Sequence, residues 1–492
     1  MNLKQRLYLG AASLLAFGLQ VWGIGRPSLW ADEVATVAAA SRPLPALLQM
    51  MKIIDAVHGT YYLLIHFLGK LFGFGPIALR LPSAIAVTAA VICTFLLANK
   101  LFGPKVAWFA FVVAAFLPRL TWASTEARSY GIDALLGVAL MLIFVHVVTA
   151  ETDRRAKRMW IAYTAVAALA IHFFVYIALM IGSQGLWLLV RWLRSGRTAS
   201  GRQAFLRWLA ATGIAIGVAG YLIVVVVMEK GQVGWLPAIS HSTLDEVFVG
   251  QAFWSDPSLA FVANTLIIVM LLGAAYRGRV PAPGQWGSVL LLLCAIVVPP
   301  AIILAYSLVG GSIYDARYFT FAAPFVAILL ALSLARLFNR WISVLALMLV
   351  VALSLPAYFG FRAPGAKGTH WGQVAHLIHR NALPGDAILY TDFDRKSPSQ
   401  SRISIAYPKE FRGITDLTVT KPYYRSPGLY PRRADAAAVA YRFGSFRRIL
   451  VLQVSTEKPE FRKLNDLLTA KGFRVSRRVR VFNTWLNIFT KP

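Results

Sequence analysis

Long apolar stretches alternate with short polar connections along the first 360 residues of the chain. A helix needs about 20 predominantly apolar residues to cross a bilayer. By that measure the pattern predicts eleven spanning helices, at 7–24, 80–99, 105–120, 130–149, 159–174, 176–192, 207–227, 259–276, 286–306, 319–336 and 341–358.

One further apolar segment, residues 59–75, is not counted among the spans. It is short and carries His66 and Lys70, so we expect a re-entrant or interfacial helix. If it does cross, a neighbouring window has to be re-entrant or not a span, so that the basic loops remain on the cytoplasmic side.

The composition excludes a soluble protein of this length. Of 492 residues, 58% are hydrophobic and only 14% are charged, which is typical of a polytopic α-helical membrane protein. No small-residue cleavage site precedes Arg26, so 7–24 is expected to be a retained first helix. Cys93 and Cys294 stand alone in apolar runs and predict no disulfide framework.

Basic residues fall between alternate spans, and the positive-inside rule places such loops in the cytoplasm. The N-terminus is then on the cytoplasmic side of the cell membrane, and the C-terminus is on the extracytoplasmic side. The clusters are Lys100 with Lys105, Arg154 to Arg158, Arg191 to Arg207, Arg277 with Arg279, and Arg336 with Arg340.

After residue 360 the pattern changes to that of a small α/β domain. Helices are predicted at His370 to Asn381 and Phe461 to Lys471, strands at Ala387 to Tyr390 and Arg448 to Val454, and a strand or hairpin at Val479 to Phe489. The sequence therefore divides into a transmembrane domain, 1–360, whose first outer loop is 25–79, and an extracytoplasmic domain, 361–492.

The second domain is strongly basic. It holds 24 Lys and Arg against 9 Asp and Glu, about half of the net charge of +29. On an exported domain this charge indicates anionic partners such as lipid headgroups, lipid phosphates or acidic envelope polymers. The outward location excludes nucleic acid.

Three separated polar groups lie on the predicted outer face, and each pairs a carboxylate with an arginine or histidine. Acids at a membrane boundary are costly unless they have a function, so we expect the three groups to form one site. They are Asp32 and Glu33 with Asp55 and His58, then Glu126 with Arg128, then Asp315 with Arg317 and Tyr318.

The order of these motifs resembles the bacterial branch of the C-type membrane glycosyltransferases, of the protein mannosyltransferase and aminoarabinose transferase kind. The resemblance covers residues 1 to about 340. It rests on Leu29-Trp30-Ala31-Asp32-Glu33, Asp55-Ala-Val-His58-Gly-Thr-Tyr61-Tyr62, Arg80-Leu-Pro82-Ser83, Glu126-Ala-Arg128-Ser-Tyr130 and Asp315-Ala-Arg317-Tyr318.

The chain departs from that family's pattern at one motif. The family commonly has His-Pro-Pro-Leu before the paired tyrosines, whereas this chain has His58-Gly59-Thr60-Tyr61. This form, together with the basic C-terminal domain, is similar to a group of actinobacterial envelope mannosyltransferases.

The resemblance implies transfer of a sugar, expected to be mannose, from a polyprenyl-phosphate donor to an acceptor hydroxyl on a glycan, glycolipid or protein. Inverting transfer needs a carboxylate to take the acceptor proton and cations to hold the departing phosphate. Arabinofuranosyl and aminoarabinosyl transfer are alternatives within the family, and a lipid-linked sugar flippase is the alternative from another class. Neither a P-loop nor a dinucleotide fingerprint is present, which favours a lipid-linked donor embedded among membrane lipids.

The resemblance assigns Asp32 as the base and Glu33 as its neighbour that orients an acceptor or arginine. The alternative is that the pair only marks a helix end or bridges to Arg26. Donor phosphate binding is expected of Arg128, Arg317, His58 and Arg80, and substrate binding of Asp55, Tyr61, Tyr62, Glu126, Tyr130, Asp315 and Tyr318.

Structural roles remain open for most of these side chains. The arginines can pair internally with Glu126 and Asp315, Arg80 can extend to the interface, and the tyrosines can form an interfacial belt. Asp32, Glu33, Asp55 and His58 are types that hold divalent ions. The resemblance to the mannosyltransferase kind implies metal-independent transfer, so no metal and no other cofactor is expected.

Overall fold

The computed structural model describes residues 3–149, 153–277, 285–391, 400–454 and 458–492. It is mostly helical, with a sheet near the C-terminus. The principal helices up to residue 360 are Leu3–Val21, Ala31–Ala40, Leu44–Met50, Gly59–Phe72, Pro76–Phe102, Pro104–Phe116, Pro118–Ala123, Tyr130–Val148, Asp153–Phe173, Ile177–Arg194, Ala199–Met228, Pro257–Arg277, Trp286–Gly310, Ala323–Leu337 and Arg340–Gly360.

Every window predicted to span lies on helix except for one to three residues at some ends. This is expected because, inside a bilayer, a continuous apolar run satisfies its backbone groups only by internal hydrogen bonds. The window 105–120 is broken at Leu117, where Pro118 begins a separate short helix, as proline favours a first helical position. The segment 59–75 forms the helix Gly59–Phe72, which at 1.5 Å per residue is about 21 Å long and shorter than a bilayer core.

Among the described residues, six helices are long and apolar enough to cross a membrane. A seventh results if Ser242–Phe253 and Pro257–Gly273, bent by 85°, form one span. The protein is thus a polytopic membrane protein, and the number of eleven spans stays a prediction. Of the predicted cytoplasmic basic clusters, Arg279 lies outside the described residues.

Contacts divide the chain into two compact units that do not follow the linear order. Unit 1 comprises Met1–Ile24, Asp55–Tyr61 and Arg80–Phe361. Unit 2 comprises Gly25–Ile54, Tyr62–Leu79 and Arg362–Pro492. Most of the first predicted outer loop therefore groups with the C-terminal segment, where the linear pattern had placed it with the transmembrane domain.

The C-terminal segment folds as the predicted α/β domain. Its helices include Trp371–Asn381 and Lys458–Ala470, and its strands are β1 (Ala387–Tyr390), β2 (Thr415–Asp416), β3 (Val419–Lys421), β4 (Arg432–Arg433), β5 (Arg448–Val454), β6 (Arg474–Val481) and β7 (Thr484–Thr490).

Five strands form one sheet in the order β2-β1-β5-β7-β6. β1 pairs parallel with β2 and β5, while β7 pairs antiparallel with β5 and β6. Of the two alternatives predicted for Val479 to Phe489, the structure shows the hairpin: the segment contains the end of β6, the turn and most of β7. Apolar side chains from the strands, from Lys458–Ala470 and from the short helix Ala440–Ser445 form the core, among them Leu389, Phe443, Val451, Leu468 and Phe489.

Within unit 2, Arg42 joins the first-loop segment to the C-terminal segment. Its side chain is 1% exposed and donates to four main-chain carbonyls. One is Ala38, at 2.9 Å in its own helix. The other three follow one another after residue 425: Ser426 at 3.0 Å, Gly428 at 2.7 Å and Leu429 at 2.8 Å.

Further hydrogen bonds fasten the start of the same segment. The Ser28 hydroxyl donates to Gln373 at 2.8 Å, and the Leu29 amide donates to the Tyr407 hydroxyl at 2.8 Å. Ser41 and Tyr423 share a bond of 2.9 Å at the other end of the helix Ala31–Ala40. The helix that carries Asp32 and Glu33 is thus held at both ends by residues more than 340 positions away.

Loss of Arg42 is expected to destabilise the protein because it leaves buried carbonyls without donors. Each such group costs about 1–3 kcal/mol, so Arg42→Ala should lower the unfolding free energy by roughly 3 kcal/mol. Thermal unfolding in detergent measures this. Arg412→Ala is the matched control, since Arg412 is an exposed arginine of the same unit, and equal melting of both variants would contradict the role of Arg42.

Candidate functional site

Asp32 and Glu33 lie in unit 2, in the first turn of the helix Ala31–Ala40. Two acids there are favoured by the helix dipole, as the helix-end alternative expected. Their exposure differs: Glu33 is fully buried, whereas Asp32 is half-buried. Of the pair, Asp32 is therefore the one accessible from outside the protein.

Asp55 begins a polar cluster in unit 1 and adopts a left-handed backbone conformation, with φ 64° and ψ 29°. Aspartate tolerates this region better than most residues, yet it still needs support from its surroundings. The support comes from the segment after the helix Ala199–Met228. Gln232 accepts from the Asp55 amide at 3.1 Å, and Glu229 accepts from the Ala56 amide at 2.9 Å.

The carboxylate of Asp55 lies 3.9 Å from the guanidinium of Arg128. Arg128 is 5% exposed, and its carbonyl accepts from the Ser83 hydroxyl at 3.2 Å. A side chain at Gly131 would meet the Ser83 carbonyl at 2.9 Å, so glycine is required for this close approach. Three motifs of the sequence, those around Asp55, Ser83 and Arg128, therefore meet in one cluster.

The motif at Asp315 forms a second ion pair in unit 1. Arg317 lies 2.9 Å from the Asp315 carboxylate, which also accepts from the Arg317 amide. The guanidinium stands 5.7 Å from the ring centroids of Trp235 and Tyr318. Internal pairing of Arg317 is thus observed, and the arginine remains half-buried rather than enclosed.

Aromatic rings connect the Arg128 and Arg317 motifs. Tyr130 packs against Trp122 at 5.1 Å and against Phe174 at 6.5 Å. Phe174 in turn contacts Tyr318 at 5.6 Å. The second and third polar groups predicted from the sequence therefore belong to one continuous side-chain network in unit 1. A single site that also includes the Asp32 pair stays a prediction.

Arg119 is a buried cation of this network that the sequence analysis missed. It is 3% exposed and donates to the carbonyls of Gly250 and Gln251. Its guanidinium lies 4.9 Å from the Trp122 ring and 4.8 Å from the Trp254 ring. Arg119 thereby fixes the end of the single π-helical turn Glu246–Gly250, and such turns are frequent at functional sites.

The remaining predicted residues are buried. Arg80 is fully buried and donates to the Ile24 carbonyl at 2.6 Å, so its guanidinium does not extend to an interface. Tyr61 and Tyr62 are also fully buried, which excludes an interfacial belt for them. His58 is 9% exposed at the end of the short helix that follows Asp55, and Glu126 is fully buried.

No group of three His, Cys, Asp or Glu among the described residues is placed to hold a metal ion. Asp55 and His58 belong to unit 1, whereas Asp32 and Glu33 belong to unit 2. The sequence also contains an Asp-x-Asp pair, Asp392 and Asp394, which lies outside the described residues.

The sequence did not point to Glu229, Gln232 or Arg119, for two different reasons. The loop from Glu229 to Pro257 carries no paired acid and arginine, so its sequence gave no sign that Glu229 and Gln232 hold the Asp55 turn. Arg119 lies inside a window assigned to a span. A lone arginine in a membrane-spanning segment is energetically costly, and this cost could have indicated that Arg119 has a specific role.

Burial raises the pKa of the Glu229 carboxyl above its usual value of 4.5. The hydrogen bond from Ala56 opposes this effect, and the negative charge of Asp55 adds to it.

Burial also raises the pKa of the Tyr314 hydroxyl, which accepts a hydrogen bond from Gln251 at 2.9 Å. The loop after Glu229 therefore joins both ion-pair clusters.

Residues 60–206 match the model of the dolichyl-phosphate-mannose-protein mannosyltransferase family. That range holds Tyr61, Arg80, Glu126, Arg128 and Tyr130. No curated protein sequence matches the chain.

ArnT and AftD are two of the solved proteins that share the fold. ArnT from Cupriavidus metallidurans has a TM-score of 0.57 in its complex with undecaprenyl phosphate and 0.58 in the apo state, with 12% identity, over 99% of this chain and 98% of that one. The mycobacterial arabinofuranosyltransferase AftD has a TM-score of 0.51 with 15% identity, over 99% of this chain and 41% of that one. The predicted C-type glycosyltransferase fold with a C-terminal strand-containing domain is confirmed.

The role of Glu229 is testable through stability and its dependence on pH. Glu229→Ala leaves the buried Ala56 amide without its acceptor and should cost about 1 kcal/mol. Glu229→Gln keeps an acceptor oxygen and should fold normally. Because the pKa of Glu229 is higher in the folded state than in the unfolded state, its contribution to the stability of the wild type is most favourable below the unfolded-state pKa. That contribution is lost as pH rises through the folded-state pKa.

Thermal unfolding from pH 4.5 upward compares the three proteins. The wild type should lose stability relative to Glu229→Gln as pH rises, whereas Glu229→Ala should be less stable than Glu229→Gln throughout. Equal stability of the alanine and glutamine variants would contradict the hydrogen bond to Ala56.

Proposed function

We propose that this chain, which has the C-type membrane glycosyltransferase fold, transfers a sugar from a polyprenyl-phosphate donor to an acceptor hydroxyl. The observation that carries the proposal is the network in unit 1, in which Arg128 and Arg317 stand beside carboxylates and aromatic rings within that fold. ArnT, which shares the fold over nearly the whole of both chains, binds undecaprenyl phosphate.

The carboxylate base and the guanidinium groups have complementary roles in the proposed reaction. The acceptor oxygen attacks the anomeric carbon, its proton passes to a carboxylate base, and the bond from that carbon to the phosphate oxygen breaks. The leaving group is the polyprenyl phosphate, whose growing negative charge a guanidinium stabilises. The sugar inverts at the anomeric carbon because attack and departure are on opposite faces.

Asp32 is the proposed base and Glu33 the residue that orients it or the acceptor. The difference in exposure supports this order, because a base has to reach the acceptor proton and only Asp32 is partly accessible. The fully buried Glu33 suits a supporting role in the first helical turn.

Arg128 and Arg317 are the proposed phosphate ligands. Each pairs with a carboxylate, Asp55 and Asp315 respectively, which orients the guanidinium, and a planar guanidinium fork matches the geometry of phosphate oxygens. His58 and Arg80 are proposed to support this site, and Asp55, Tyr61, Tyr62, Glu126, Tyr130, Asp315 and Tyr318 to shape it for the substrates. No metal or other cofactor is part of the proposal.

The sugar is proposed to be mannose, supported by the match to the mannosyltransferase family model. The acceptor, a glycan, glycolipid or protein hydroxyl, is proposed to lie on the outer face of the cell membrane, with the N-terminus cytoplasmic and residues 361–492 outside. Arabinofuranose and aminoarabinose are the competing sugars.

Purified protein in detergent tests the activity directly. Radiolabelled polyprenyl-phosphate mannose, arabinofuranose and aminoarabinose are supplied in parallel with envelope extracts as acceptors. Labelled product from mannose alone supports the proposal, and product from another sugar replaces mannose. Absence of product from all three, together with translocation of labelled lipid in sealed vesicles, would identify a flippase instead.

Removal of the two arginines should weaken use of the donor. Arg128→Ala and Arg317→Ala are each expected to lower kcat/KM for the donor by roughly tenfold or more, since a charge-assisted bond contributes about 1.5–3 kcal/mol. Steady-state kinetics measures this, with thermal unfolding to establish that each variant is folded. A folded variant with unchanged donor kinetics would leave that arginine with its ion pair alone.

Loss of the base should lower turnover more than binding. Asp32→Asn preserves size but removes the charge, and should lower kcat by roughly 10²-fold or more while donor binding persists. Glu33→Gln should be impaired yet measurable. Single-turnover kinetics beside donor binding distinguishes them: the reverse order moves the base to Glu33, and full activity of both variants overturns the mechanism.

A further inference from the structure

A cavity of about 530 Å³ lies among helix ends of unit 1, away from the polar network. The helix Tyr130–Val148 relates the two places: Tyr130, in the network, begins it, and Val148, in the cavity wall, ends it. At 1.5 Å per residue these ends are about 27 Å apart. The proposed glycosyl transfer therefore does not account for the cavity.

The walls of the cavity are apolar, and two arginines stand at it. Leu101, Val145, Val148, Val190, Leu290 and Leu291 supply apolar surface, and Arg191 and Arg194 supply charge. Both arginines are exposed. The cavity lining, as far as the described residues show it, contains no Asp or Glu. A ligand that fits is anionic at one end and apolar at the other.

One of the arginines is held in place. The Arg191 guanidinium lies 5.3 Å from the Trp187 ring centroid, and the Trp187 indole donates to the Gly287 carbonyl at 2.7 Å. A guanidinium held over an aromatic ring can still donate hydrogen bonds in its own plane, which suits phosphate oxygens. A second cavity of about 180 Å³ shares Val148, Arg191 and Ser195 with the first, so Arg191 stands between two open spaces.

Simpler reasons explain part of this arrangement. Arginine at the C-terminal turn of Ile177–Arg194 complements the helix dipole, and basic loops are expected on the cytoplasmic side. Neither reason requires an apolar cavity beside the charges. Its volume is within the range of roughly 300–1,000 Å³ that ligand pockets occupy, and its hydrocarbon walls favour a lipid over a free anion.

We propose that this cavity binds an anionic glycerophospholipid, with the headgroup phosphate on Arg191 and Arg194 and the first acyl carbons against the apolar walls. The site is separate from the proposed sugar transfer, and its test uses lipid binding rather than activity.

Native mass spectrometry of the full-length protein in detergent measures the binding. The probes are dioleoyl phosphatidylglycerol and dioleoyl phosphatidylcholine. Saturable binding of the anionic lipid in preference to the zwitterionic one is expected, and Arg191→Ala with Arg194→Ala should weaken it about tenfold. The matched control is Arg154→Ala with Arg155→Ala, which removes the same charge from exposed arginines outside the cavity lining and should leave binding unchanged.

Three further measurements distinguish binding in the cavity from attraction to surface charge, and recognition of the lipid from recognition of its phosphate. Ser288→Trp, which keeps both arginines and fills the cavity, should weaken binding at least as much as the arginine pair variant does. If the pair variant does not fold, the single variant Arg194→Ala, which keeps the contact between Arg191 and Trp187, should still weaken binding. Glycerol phosphate should compete poorly. Equal losses in the control pair, binding retained in a folded Ser288→Trp, or competition by glycerol phosphate as strong as by the lipid would overturn the proposal.

Discussion

The buried guanidinium of Arg42 is the contact on which the second unit depends. An arginine removed from water needs a partner for nearly every donor, and here main-chain carbonyls at Ser426, Gly428 and Leu429 supply them. This requirement fixes the path of the C-terminal segment against the helix Ala31–Ala40. The α/β domain is therefore part of the scaffold of Asp32 and Glu33, in addition to carrying positive charge.

The first unit shows the same principle with weaker contacts. The left-handed turn at Asp55 is stabilised by side chains of Glu229 and Gln232, which follow a helix more than 170 residues later. Because the carboxylate of Asp55 approaches Arg128, this support is transmitted to the proposed phosphate ligand. A loop without an obvious chemical motif thus determines the geometry of a motif that has one.

Much of the fold was predictable because its cause is local. Apolar runs determined the helices, and the short apolar run within Arg448 to Val454 determined a central strand. The clustering of Asp55 with Arg128 was also anticipated, from charge at one predicted face. Arg42, Glu229 and Arg119 were not anticipated, since each acts through backbone carbonyls or amides of distant segments, and a backbone partner leaves no mark on the sequence. The grouping of residues 25–54 with the C-terminal segment was missed for that reason.

The bond between Ser28 and Gln373 joins residues 345 positions apart, and this separation has a consequence during synthesis. At about 5–20 residues per second, the chain takes roughly 20 to 70 s to extend from one partner to the other. During that interval the helix Ala31–Ala40 lacks the hydrogen-bond partners that the C-terminal segment supplies in the folded protein. Closure of unit 2 is consequently a late event in biogenesis, and the segment with the proposed base is among the last parts of the molecule to reach its final form.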